Sequence, residues 1–144
     1  MDLKGAVALV TGGNGGLGQR ICHALAAAGC QIAVVCNKSK DQAAAVARDL
    51  KKHQVAAATF ACDVTKRDQV QKLVDDVVKR FGRLDILIND AAYNKSIPFK
   101  DLDNLTYEEW TKIIDINLTG PMLTTKAVAP VMKKQGSGRI VNIS

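Results

Sequence analysis

Short apolar runs alternate with helical patterns from one end of the chain to the other. Ala6–Thr11, Gln31–Cys36, Ala56–Ala61, Leu84–Asn89 and Arg139–Ser144 are brief, rich in Val and Ile, and flanked by Gly, Asn or Asp. Their length and content predict largely buried strands rather than helices. Between them the spacing predicts helices over Leu17–Ala28, Lys40–His53, Lys66–Phe81 and Thr106–Lys134. The third is the clearest: Val70, Leu73, Val74, Val77, Val78 and Phe81 repeat at i, i+3, i+4, i+7, i+8 and i+11 and form one apolar stripe. Thr65 is placed to cap its start and Gly82 to end it in a left-handed conformation. The fourth helix opens on Thr106-x-x-Glu109, the pattern of a capping box. Along it Trp110, Ile113, Ile114, Asn117, Leu118 and Pro121 share a face. An amide in that stripe needs a partner. Pro121 has no N–H for the Asn117 carbonyl, so a kink with a free, inward carbonyl able to hold a water is expected.

Strand–helix alternation demands parallel strands joined by right-handed crossovers, and continuously apolar strands demand helices on both faces. The expected fold is therefore α/β, an open doubly wound parallel sheet of five strands in the order 3-2-1-4-5, forming one domain over residues 1–144. Connections are short except for the sixteen residues Asp90–Leu105, a length that is more often functional than idle.

The first strand runs straight into Thr11-Gly12-Gly13-Asn14-Gly15-Gly16-Leu17-Gly18, and a helix follows. Glycine lets the backbone turn tightly and approach a pyrophosphate, while the helix N-terminus offers free N–H groups and a positive dipole end. Two registers fit: Gly13-x-Gly15-x-x-Gly18, the common dinucleotide fingerprint of Rossmann-type folds, and Gly12-x-x-x-Gly16-x-Gly18, a variant spacing. That fingerprint calls for an acid about 20 residues on, to hold the ribose hydroxyls. Here the stretch after the second strand reads Cys36-Asn37-Lys38-Ser39-Lys40, with no acid before Asp41. A carboxylate would repel a 2′-phosphate and Lys38 would attract one, so NADP(H) is favoured over NAD(H).

Composition narrows the field. Of 144 residues, 47% are hydrophobic and 24% charged, which suits a folded domain and excludes a disordered one. The +6 charge is scattered, and with 4% aromatics there is no stacking platform, so no nucleic-acid partner is expected. No apolar run approaches the roughly 18–20 residues of a membrane span, and the amino terminus lacks a secretory pattern, so a cytoplasmic protein is expected. Cys22, Cys30, Cys36 and Cys62 have no Cys-x-x-Cys spacing and read as small buried hydrophobes; His23 and His53 fall on helices, and no metal site is expected.

With these residues assembled, the chain resembles the short-chain dehydrogenase/reductases along its whole length. The family's Thr-Gly-x-x-x-Gly-x-Gly is met by Thr11, Gly12, Gly16 and Gly18, and its Asp-Val after strand three by Asp63-Val64. Its Asn-Asn-Ala-Gly after strand four appears as Asn89-Asp90-Ala91-Ala92, and its Asn-x-x-Gly as Asn117 to Gly120. The resemblance implies that Thr11–Gly18, Asn37, Lys38, Asp63, Val64, Asn89 and Ala91 bind a nicotinamide dinucleotide. It also implies that Asn117 belongs to the catalytic apparatus through a water that joins a proton relay. Gly138–Ser144 looks like 3-oxoacyl thioester reductases, while the glycine loop and Asn37–Lys40 look equally like sugar or polyol dehydrogenases. Asp90 and Ala92 depart from the family's Asn and Gly, and Asp90 puts an acid near the cofactor region.

The family's chemistry requires a Ser, a Tyr and a Lys. Its spacing after Arg139 places the Ser one residue past Ser144, and a shift of one makes Ser144 itself that residue. No Tyr-x-x-x-Lys occurs: Tyr93 is followed four later by Ile97, and Tyr107 by Thr111. The expectation is the cofactor-binding part of an oxidoreductase acting on a carbonyl or alcohol, truncated relative to the family and inactive alone. A homo-oligomer is possible, and the alternative is a non-catalytic nucleotide-binding or scaffolding protein.

Overall fold

The computed structural model describes residues 2–144. Five strands, β1 (Val7–Thr11), β2 (Gln31–Cys36), β3 (Ala57–Ala61), β4 (Ile86–Asn89) and β5 (Arg139–Asn142), form one sheet in the order β3-β2-β1-β4-β5. Every pairing is parallel, and one register row runs Ala57, Ile32, Ala8, Ile86, Arg139 across the sheet. The expected α/β architecture and strand order are the observed ones.

The helices are α1 (Gly16–Ala27), α2 (Lys40–Leu50), α3 (Arg67–Phe81), α4 (Tyr107–Ile114) and α5 (Gly120–Gln135). Side chains alternate across a strand, so each central strand feeds two cores. Ala8, Val10, Ile32, Val34, Ile86 and Ile88 pack with Cys22 and Ala26 of α1 and Ala43, Val46 and Leu50 of α2. Val7, Leu9, Ala33, Val35 and Leu87 pack with the stripe Val70, Leu73, Val74 and Val77 of α3 and with Val128 and Met132 of α5. Burial on both faces is the reason these strands read as unbroken apolar runs. The outermost strands differ: β5 is exposed at every position and β3 is only partly covered.

The ends of the sheet opposite the glycine loop are stitched by Asp85. Its carboxylate accepts from the Val7 N–H at 2.9 Å and pairs with Arg83 at 2.7 and 2.8 Å, and its carbonyl accepts from the Arg139 N–H. Gln135 clasps the N–H and carbonyl of Leu84, tying the end of α5 to the start of β4.

Local differences from expectation have physical causes. The helix expected over Thr106–Lys134 is divided into α4 and α5 by a π-helical turn, Asp115–Thr119. Pro121 lacks the N–H that would continue the α pattern, so the ladder widens just before it. The shared face is not a buried stripe: Trp110 is 50% exposed and Leu118 65%, and the Asn117 side chain turns to a loop rather than into a core. Thr65 does not cap α3. Lys66 holds that position without a side-chain bond, while the Thr65 hydroxyl donates to Asp63 Oδ1 at 2.7 Å. Gly82 does end α3 in a left-handed conformation, φ 79°. Half of the capping box forms: Thr106 Oγ1 accepts from the Glu109 N–H, but the Glu109 carboxylate goes to Tyr93. The second helix stops at Leu50 and finishes as a 3-10 turn, Lys51–His53, whose His53 Nε2 lies 3.2 Å from His23 Nδ1 of α1.

All four cysteines are free and buried. Burial pushes the Cys22 thiol up to about 12, with the Asp90 charge adding to it, and the Cys62 thiol up to about 11. They serve as small apolar fillers rather than nucleophiles. Among the described residues, no group of three or more His, Cys, Asp or Glu is arranged to hold a metal, and no helix is long and apolar enough to cross a membrane.

Candidate functional site

In an open α/β sheet, ligands bind beyond the carboxyl ends of the strands, where neighbouring connections leave in opposite directions. Here that point lies between β1 and β4. Thr11 closes β1, and its buried Oγ1 accepts from the N–H groups of both Asp90 and Ala91 at 3.1 Å. Asn89 closes β4: its amide donates to Asn142 Oδ1 at 2.9 Å and accepts from the Thr124 hydroxyl at 2.7 Å. These bonds fix β1, β4, β5 and α5 around a cleft of about 980 Å³.

The glycine loop forms the floor of the cleft. Gly12 sits at φ +66°, where a side chain is strained, and a Cβ there would stand 3.0 Å from the Ala91 backbone. A Cβ on Gly18 would lie 2.2 Å from the Gly12 carbonyl oxygen. The two backbones touch, and only glycine permits it. The Gly15 N–H donates to the Gly12 carbonyl, and the Gly13 N–H to Val35. Gly15 precedes α1 as its N-cap and supplies no side-chain cap, and the first turn contains no acid. The positive end of the helix therefore opens on the cleft with its N–H groups uncapped by any side chain.

The expected binding residues divide into two groups. Gly12, Asn14, Gly15, Gly16, Leu17, Asn37, Lys38, Asp63, Val64, Asn89 and Ala91 line the cleft. Thr11, Gly13 and Gly18 are buried beneath it and shape the loop instead. Burial raises the Asp63 carboxyl, but the hydroxyl and N–H of Thr65 and the cations Lys66 and Lys38 outweigh that and hold it below the usual carboxylate range. A shallow wall therefore presents both an anion, Asp63, and an exposed ammonium, Lys38.

The opposite wall contains residues that the pattern did not single out. Tyr93 hydrogen-bonds through its hydroxyl to Glu109 Oε2 at 2.9 Å, and Lys112 Nζ stands 3.8 Å from the centre of its ring. The bond from Tyr93 outweighs the effect of burial and, with help from Lys95 and Lys112, holds the Glu109 carboxyl low. Tyr93 and Lys112 lie 19 positions apart and meet only in three dimensions; the length of the loop after β4 was the one signal that something would be there. Asn117 accepts from the Tyr93 N–H and donates to the Tyr93 carbonyl, both at 2.8 Å. Its amide thus clamps that loop at the cleft, and Ser144 reaches the same cleft from the end of β5.

Removing the clamp should be visible. In Asn117→Ala two exposed hydrogen bonds are lost, worth about 1–2 kcal/mol together. Hydrogen exchange is expected to show the Tyr93 amide losing protection while the amides of β1 keep theirs. Unchanged protection at Tyr93 would mean that the loop is held by other contacts.

Comparison with known proteins matches this geometry. Residues 6–144 match the family model described as short chain dehydrogenase. The chain is 37% identical over 142 residues to 3-oxoacyl-[acyl-carrier-protein] reductase of Synechocystis sp., covering 99% of this chain and 56% of that one. It is 35% identical to sorbose reductase of Schizosaccharomyces pombe, covering 97% and 54%. The crystal structure of an NAD+-bound xylitol dehydrogenase superposes with a TM-score of 0.90 at 33% identity, over 99% of this chain and 54% of that one. The chain therefore spans about half the length of the curated relatives it matches. A five-stranded parallel sheet, a glycine loop closed on the β4 connection and a family match over nearly every residue place this chain among the short-chain dehydrogenase/reductases.

Proposed function

We propose that the cleft binds a nicotinamide dinucleotide, NADP(H) in preference to NAD(H), and that residues 1–144 are the dinucleotide-binding part of an oxidoreductase acting on a small-molecule carbonyl or alcohol. The observation that carries this is the contact between Gly12 and Gly18. The bare backbone of Gly12 presses on the first turn of α1 at Gly18 and leaves the N–H groups of that turn directed at a place where a diphosphate fits. The adenosine end is assigned to Asp63, Val64, Asn37 and Lys38 on one wall. The nicotinamide end is assigned to the side of Ala91, Asn117 and Ser144. When bound, the dinucleotide supplies or accepts hydride.

The residues of this chain bind and position. Asn117 holds the backbone of Tyr93 so that the loop after β4 closes the cleft wall. Asn89 and Thr124 keep β5 aligned, and with it Ser144. The relatives named 3-oxoacyl-[acyl-carrier-protein] reductase, sorbose reductase and xylitol dehydrogenase support an acyl or a sugar substrate class. Residues 1–144 contain no Tyr-x-x-x-Lys pair, and the proposal is that proton transfer to substrate is not performed by this stretch alone.

Fluorescence titration with NADPH and NADH tests the reading. NADPH should bind more tightly, and Lys38→Ala should weaken NADPH about tenfold, the worth of one charge-assisted contact to a phosphate. NADH affinity should stay where it is. Tighter NADH binding by the unaltered chain would reverse the preference, and no binding of either nucleotide at millimolar levels would remove the function.

A further inference from the structure

Three acids near the ends of the strands differ in the charges that surround them. Asp85 is matched by Arg83, and Asp63 by Thr65 and two lysines. Asp90 has no cationic side chain against it among the described residues, only the positive end of α1. It follows β4, and its N–H is held by Thr11 Oγ1 at 3.1 Å, which fixes where its side chain leaves the backbone. Its Oδ2 lies 2.9 Å from where a Cβ on Gly18 would stand, so the carboxylate is pressed on the glycine loop at the first turn of α1. It is half-buried and lines the same cleft. Among the described residues no hydrogen bond and no ion pair reaches that carboxylate. The same spot is where uncapped N–H groups await an anion.

An acid packed against an anion seat works against its ligand. Two negative charges a few ångströms apart at a partly desolvated site repel by about 1–3 kcal/mol. Building on the dinucleotide reading of the cleft, we propose that Asp90 sets the affinity and the pH dependence of the diphosphate seat: its carboxylate opposes the diphosphate, and binding is coupled to partial protonation of that carboxylate from solvent. Burial already raises the Asp90 carboxyl above its ordinary value, and a neighbouring diphosphate pushes it in the same direction. The positive end of α1 favours its charged form without bonding to either oxygen, and the side chains that face it do not cancel the effect. Cys22 of α1 is a neutral thiol whose own ionisation is made harder by burial and by Asp90. Lys38 and Lys112 stand on other walls of the cleft and pair with neither carboxylate oxygen of Asp90. Asp63 is held low and titrates below the range in question.

The sign follows from linkage. A site that takes up a proton with its ligand binds more weakly as pH rises. The probe is NAD+, whose diphosphate keeps its charge between about pH 5 and about pH 8. Calorimetric titration of the full chain should show affinity falling across that range. Asp90→Asn, which keeps the shape and removes the charge, should bind NAD+ roughly tenfold more tightly at about pH 8 and lose the slope. Titration of the unaltered chain in two buffers of different ionisation heat should register proton uptake, a readout that needs no variant. The proposal is overturned if Asp90→Asn binds no more tightly, if it keeps the slope, or if no proton is taken up. Should the unaltered chain bind NAD+ while the variant changes nothing, only the role of Asp90 fails. Should neither chain bind NAD+ or NADPH at millimolar levels, the dinucleotide reading fails with it.

Discussion

Alanine at Gly18 is expected to cost the chain both its nucleotide site and much of its stability. The added methyl group would stand 2.2 Å from the Gly12 carbonyl oxygen and 2.8 Å from its carbonyl carbon, and neither can move as the tip of a side chain can. The Ala91 backbone stands 3.0 Å from the ideal Cβ position of Gly12, so the loop has little room to retreat on that side. Overpacking of this kind costs about 3 kcal/mol when backbone must shift. For a chain of this length that corresponds to a fall in melting temperature of about 10 °C. Displacing Gly12 also moves the Ala91 and Asp90 backbones, which share the Thr11 hydroxyl. NADPH and NADH binding should therefore be lost together, unlike the selective loss expected for Lys38→Ala. Thermal melting and nucleotide titration of the same preparation check both parts. A Gly18→Ala chain that melts within about 2 °C of the original would show that the loop has more freedom than these contacts allow.

The second large effect lies at the other end of the sheet. Asp85 is 1% exposed and supports three strands, through the Val7 N–H of β1, its own place before β4, and the Arg139 N–H of β5. Asp85→Ala leaves the Val7 N–H buried without an acceptor and releases Arg83. The Arg83 side chain is 54% exposed, so the ion pair is discounted for solvent, and most of the loss comes from the buried carboxylate's hydrogen bonds. The expected total is about 3 kcal/mol. The effect has a pH signature. Burial raises the Asp85 carboxyl, but Arg83 and the Val7 N–H outweigh it and hold it below its ordinary value. A group lowered in the folded state stabilises above its unfolded pKa, about 3.9, and that contribution is lost as pH falls through the lower folded value. Melting curves at about pH 7 should separate the two chains widely, and the gap should narrow as pH falls below the unfolded value toward the lowered folded one. A gap that stayed constant with pH would show that the carboxylate charge is not the source.

Some of the site could be read before any coordinates. Gly12, Gly16 and Gly18 declare themselves because only a strand running into a glycine-rich turn and then a helix produces that order. The stripe from Val70 to Val77 is equally plain, since its period belongs to one helix face and nothing else in the chain competes with it. Lys38 stands out by the absence of an acid beside it. Other readings stopped short because the deciding partner was far away in sequence. Asn117 could be recognised as a polar residue in an apolar stripe, but its partner is the backbone of Tyr93, 24 residues earlier. Thr65 fits a helix cap by its chemistry, and only the geometry shows that Asp63 takes its hydroxyl first.

Local propensity and periodicity are short-range quantities, and they suffice for whatever a residue does with neighbours within a turn or two of chain. For this protein they determine the five strands, the apolar stripe of α3 and the glycine turn. Contacts between distant segments depend on how those elements are brought together, and only the folded chain decides them. It decides that Thr11 supports Asp90 and Ala91, that Tyr93 lies beneath Lys112, and that Asp90 is left against the first turn of α1 without a cation. The physical reason is range. A hydrogen bond or a charge pair acts over a few ångströms of space, whatever number of residues lies between its ends.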